Sequence, residues 1–91
     1  MKKLSFEKLR RVEVDWRDSA SMDGWSARAT YEQEGVPALC RSIGYLLNST
    51  EAHVLLVQNL GIGLGEHVSA SISIPRSCIV KMRTLQGGLP R

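Results

Sequence analysis

The sequence is short of what a small enzyme or metal protein uses. It holds two cysteines, Cys40 and Cys78, and two histidines, His53 and His67. Two cysteines cannot build a disulfide framework, and no Cys or His pair has zinc-ligand spacing. Both thiols lie in apolar stretches and read as reduced cysteines acting as small hydrophobes. The histidines begin or adjoin strands, where a solvated edge residue is the ordinary reading. Asp15, Asp18 and Asp23 lack the glycine and glutamate spacing of a calcium loop. Gly61, Gly63 and Gly65 imitate a phosphate loop, yet the dinucleotide fingerprint would set its third glycine at position 66, which is Glu66, and no Gly-Lys-Ser or Gly-Lys-Thr follows. The expectation is a chain that is not an enzyme and holds no cofactor or metal.

Long apolar runs are missing too. No window approaches the roughly 20 apolar residues of a membrane-spanning helix. The opening Met-Lys-Lys-Leu-Ser-Phe resembles the start of a signal peptide, but Glu7, Lys8, Arg10 and Arg11 interrupt it. A soluble, cytoplasmic protein is expected. Its 91 residues suffice for one domain with one modest core: a basic arm over 1–11, a core over 12–85 and a flexible tail over 86–91. Twelve basic against nine acidic residues give a net charge of +3, and Lys2, Lys3, Lys8, Arg10 and Arg11 hold much of the excess.

What is present is alternation. Val12, Val14 and Trp16 alternate with Glu13, Asp15 and Arg17, the pattern of a half-buried strand. Residues 19–24 carry turn chemistry. Residues 25–33 form an excursion with room for a short strand, since Trp25, Ala27, Ala29 and Tyr31 keep period two, while Glu32, Gln33 and Glu34 read as an exposed loop or a helical end. Residues 3–10 suit a short helix with Ser5 as N-cap.

The central unit is 40–58, two apolar runs separated by Asn48-Ser49-Thr50-Glu51-Ala52. Val36, Leu39, Cys40, Ile43, Leu46 and Leu47 also fall on helical spacing, but interior Gly44 and the Ile43 and Tyr45 neighbours favour a strand, with Gly44 marking a bend or a close backbone crossing. The run 53–58 is apolar on both faces. A strand of that kind needs a cover, from the chain or from another subunit. After a glycine-rich loop over 59–67, Val68, Ala70, Ile72 and Ile74 alternate with serines. Pro75 forces a turn, and 78–85 forms a last strand with Val80 and Met82 on one face and Lys81 and Arg83 on the other. Strands this numerous either expose two edges or curl into a barrel. The expected fold is mainly β, a small five-stranded barrel with a short N-terminal helix.

Two resemblances add to this. Val14-Asp15-Trp16-Arg17-Asp18-Ser19 with Gly24-Trp25, then Cys40-Arg41-Ser42-Ile43-Gly44-Tyr45-Leu46, then Ile74-Pro75-x-x-Cys78-Ile79, resemble a family of short uncharacterised bacteriophage and prophage proteins, which implies a host bacterium's cytoplasm. The order of N-terminal helix, bent second strand, apolar third strand and the Ile74 to Ile79 join is similar to Sm-like and SH3-like small barrels. That likeness implies ring-like assembly through outer strands. It also implies nucleic-acid contact through the 48–53 loop and the turn at Pro75, where Pro75 and Arg76 replace the Sm-like Arg and Gly.

Two functions are expected from different classes. The first is a binding module for itself or for a protein partner, with Trp25, Val54 and Leu56 as candidate interface residues; Trp25 also suits ordinary packing. The alternative is nucleic-acid binding through Lys2, Lys3, Arg10, Arg11, Arg41, His53, Arg76, Lys81 and Arg83. Neither calls for a small-molecule substrate or a membrane.

Overall fold

The structure, a computed structural model, describes residues 5–85. Five strands, β1 (Arg11–Asp18), β2 (Ala38–Ser49), β3 (His53–Gly61), β4 (His67–Pro75) and β5 (Ile79–Thr84), form one open antiparallel sheet in the order β4-β3-β2-β1-β5. The only α-helix among the described residues is α1 (Arg28–Glu34). Short 3-10 turns occupy Phe6–Lys8, Ile62–Leu64 and Arg76–Cys78.

The strand reading of 36–47 prevails over the helical one. β2 pairs with β1 from Tyr45 to Ala38 and with β3 from Tyr45 to Ser49, so each part of the segment lies in an antiparallel ladder and Tyr45 is paired on both sides. Val12, Val14, Leu46, Val54, Leu56 and Ile74 make the core, with Trp16, Ile72, Cys78, Ile79 and Met82 packed against it. Each fully buried aliphatic side chain contributes about 1.5–3 kcal/mol. This row from four strands is what holds the sheet together.

Four expectations are corrected. The N-terminal helix is a single 3-10 turn, and the Ser5 side chain makes no capping bond. The short strand considered within 25–33 is α1, held by the Arg28 to Glu32 ion pair and by the Tyr31 hydroxyl, which donates to the Gly24 carbonyl. The 59–67 loop is shorter than expected: β3 runs through Gly61 and β4 starts at His67, leaving Gly65 at φ 73° to turn the chain. Finally, Val80 does not share the core face of Met82. The ladder between β1 and β5 shifts between Asp15 and Trp16, pairing Trp16 with Ile79 and Asp15 with Lys81. Val80 is the extra residue of that bulge and stays exposed, while Ile79 and Met82 both reach the core.

Candidate interaction surface

The face of the sheet turned away from the core carries the charge. Because β1 alternates, Glu13 and Asp15 stand opposite Val12 and Val14, and the registers bring β2 and β5 to either side of them. Arg41 reaches across from β2 and donates to Asp15 through Nε at 2.7 Å and Nη2 at 3.1 Å, a forked pair. From β5, Arg83 contacts Glu13, and its Nη2 lies 3.3 Å from Asp15 Oδ2. The carboxylates are largely covered, with side-chain exposures of 13% for Glu13 and 15% for Asp15, while Arg41 is 58% exposed. The hydrogen bonds from Arg41 hold the Asp15 carboxyl below the usual carboxylate range, burial opposing them in part, and raise Arg41 in turn.

The basic candidates therefore do not form one strip. Arg41, Lys81 and Arg83 gather around Glu13 and Asp15, which neutralise much of their charge. Arg76 lies at the β2 to β3 turn, where its Nε donates to the Thr50 carbonyl and its Nη2 to the Ser49 hydroxyl. His53 sits at the same turn, its Nδ1 3.3 Å from Thr50 Oγ1. Arg10 donates to Thr84 Oγ1 near the start of β1, and Arg11 begins that strand. Lys2 and Lys3 lie outside the described residues, as does the 86–91 tail.

The interface candidates separate as well. Trp25 is fully exposed in the excursion between β1 and β2. Val54 and Leu56 point into the core with no exposure, covered by the chain's own β1, β2 and β4. Truncating either would report on folding before binding, at a cost of about 2–5 kcal/mol for a core leucine. On the opposite face Val57 is also buried, beside its register partner Tyr45. Exposed apolar side chains lie elsewhere: Ile62 in the β3 to β4 connection, Leu39 and Ile43 on β2, Val36 before β2, and Val80 at the β5 bulge.

Sequence reasoning missed Glu13 and Asp15 as partners of the cations. Their alternation on β1 and that of Lys81 and Arg83 on β5 were the available signal, but pairing them needs the register. An open depression of about 550 Å³ lies between β2 and β4, lined by Arg41, Ser42, Ile43, Gln58, Ala70, Ser71 and Ile72. No helix among the described residues is long and apolar enough to cross a membrane. Comparison with models of protein families, with curated proteins and with solved structures finds no match.

Proposed function

We propose that this chain is a non-enzymatic binding module of the small-barrel kind, SH3-like or Sm-like, that assembles with itself or with a protein partner. The observation that carries the reading is the sheet's two open sides: β4 pairs only with β3, and β5 only with β1, among the described residues. Unpaired edges are templates for another strand. Exposed Trp25, Ile62, Leu39 and Val80 add apolar surface of the kind that contacts bury. The barrel assignment is supported by the strand order and by the 3-10 turn Arg76–Cys78, which joins the two outermost strands. The phage-type resemblance fits such a module working in a bacterial cytoplasm.

Light scattering on a sizing column across a wide concentration range tests this, and a mass above one chain is the expected result. A monomer at every concentration would exclude self-assembly. Nucleic-acid binding comes second, because Arg41 and Arg83 are committed to Glu13 and Asp15. Single-stranded oligonucleotides are expected to show no shift in low-salt buffer, where counterion release would make phosphate binding strongest.

A further inference from the structure

We infer that the edge of β2 over 39–43 is a docking strand, and that an extended acidic segment of a partner protein adds to it, antiparallel, in the place that β3 vacates beyond Val57. The inference rests on the protein-partner reading above and specifies its surface and ligand.

β2 is an inner strand along only part of its length. It pairs with β1 over 38–45, but with β3 only over 45–49. Beyond Val57 the two strands part, and at the same level the β3 to β4 ladder skips Gln58 and Ala70, where Ala70 has φ 61°. The depression of about 550 Å³ lies in this gap, with Arg41 and Ile43 on one side and Gln58, Ala70 and Ile72 on the other. Its size is that of an ordinary ligand cleft.

Two independent bonds give the direction of the backbone groups on this edge. The Leu46 amide donates to the Arg10 carbonyl, which makes Arg11 with Tyr45 a non-hydrogen-bonded pair, and the β1 to β2 ladder continues from there to Ala38 without a register shift. Ile43, Arg41 and Leu39 therefore turn amide and carbonyl away from β1, toward the gap. The second bond lies at Ile43 itself, whose carbonyl accepts from the Gln58 side-chain amide at 2.6 Å. One amide thus already occupies the first rung of the ladder that β3 leaves unmade. The next rungs, at Arg41 and Leu39, have no backbone partner on that side among the described residues. Two further amides and two carbonyls of an extended chain would complete them.

Charge selects the occupant. Residues paired with Arg41 and Leu39 place their side chains on the face away from the core, where the registers gather Arg17, Arg41, Lys81 and Arg83 around two carboxylates, Glu13 and Asp15. Arg41 is also the charged residue in the lining of the depression. A carboxylate opposite Arg41 is therefore favoured and a cation opposed. Leu39 and Ile43 are exposed on the same face, so apolar side chains two residues to either side of that carboxylate would cover them. The β2 edge of a second copy is a poor occupant, because a two-fold pairing centred on Arg41 would set arginine against arginine.

The probe is the peptide Thr-Val-Thr-Glu-Thr-Val-Thr, titrated into the full isotope-labelled chain and followed by amide shifts in nuclear magnetic resonance spectra. The amides of Leu39 and Arg41 should shift and saturate. Methylating the backbone nitrogens of the glutamate and valines, which would face β2, should weaken binding roughly tenfold or more, as the loss of backbone bonds requires. Methylating those of the threonines should not, and lysine in place of the glutamate should weaken it. Leu39→Pro removes one outward amide and leaves the bonds to β1, so it should bind the parent peptide more weakly while its circular dichroism is unchanged. Equal weakening by both methylation patterns, shifts confined to other strands or the absence of a saturable shift would overturn the inference without touching self-assembly, which the mass measurement decides. The same amides moving with protein concentration alone would overturn it in favour of a second copy. Equal binding of an oligothymidylate would overturn it in favour of nucleic acid.

Discussion

Gly44 shows how much one hydrogen atom in place of a methyl group allows. A Cβ built on it would lie 2.9 Å from the Val57 carbonyl oxygen and 3.2 Å from the Leu56 Cβ. The first of these atoms is backbone, so relief requires β2 and β3 to move apart where Leu46 joins the core. Gly44→Ala should therefore cost about 1–3 kcal/mol, the usual penalty for forcing an extra group into a packed site. The midpoint of urea unfolding should fall while its slope stays constant. An unchanged midpoint would show that the crossing is looser than 2.9 Å implies. The sequence marked this position as a bend or a close crossing, because glycine in an apolar strand has few other uses. What the glycine lies against was not legible, since Val57 reaches it through a register that bulges at Leu47. Bulges hid Val80 for the same reason: one extra residue reverses the facing of everything beyond it.

Among the elements, the strands were legible, and of the helix only its end at Glu32, Gln33 and Glu34, which the sequence offers as a loop or a helical end. β1 alternates in the sequence as it does in the sheet, whereas β4 keeps its alternation only at Ile72 and Ile74, since Val68 and Ala70 are exposed and Ala70 has φ 61°. α1 buries no residue, so it leaves no apolar stripe to read, and the chance period two of Trp25, Ala27, Ala29 and Tyr31 points to the wrong element. Its local supports, the Arg28 to Glu32 pair and the Tyr31 to Gly24 bond, are visible only once the chain is folded. The charged ladder across β2, β1 and β5 belongs to this scale too, because it ties three strands on the face away from the core. Its pH dependence follows from Asp15, whose carboxyl the Arg41 bonds hold below the ordinary value of about 3.9. A depressed folded-state pKa gives stability that is fully present above the unfolded value and is lost as pH falls through the folded one. Compared with Asp15→Asn, the natural chain should be more resistant to urea at neutral pH. That difference should shrink only as the pH drops below about 4. A difference that stays constant down to the lowest pH at which both fold would mean that the aspartate acts through its shape and not its charge.

At the scale of the whole molecule, the chain is longer than its core requires. Its radius of gyration is 17.4 Å and its extents are 55 × 27 × 24 Å, whereas a compact chain of this length would have a radius near about 12 Å. Part of the difference is the excursion 19–37, which supplies none of the core residues and carries the exposed Trp25 and Val36. It leaves and re-enters the sheet at one point, since Asp18 and Ala38 are register partners. The Leu46 amide donates to the Arg10 carbonyl, making Arg11 with Tyr45 a non-hydrogen-bonded pair. Alternation from there makes Asp18 with Ala38 a hydrogen-bonded pair, the kind that a two-residue turn closes. Replacing 19–37 by Asn-Gly should therefore leave a folded five-stranded sheet. Stability should change by less than about 1 kcal/mol, because the lower entropy cost of closing a shorter loop offsets the little packing that the excursion provides. Urea unfolding measures this directly, and a loss of several kcal/mol would show that the excursion packs on the sheet. The shortened chain also separates the two surfaces proposed for binding. Peptide binding at the β2 edge should survive the replacement, because the turn keeps Asp18 paired with Ala38 and 39–43 lies within the retained strand. Any partner held through Trp25 should be lost with it, so comparing the mass and partner binding of the two chains assigns each contact to its own surface.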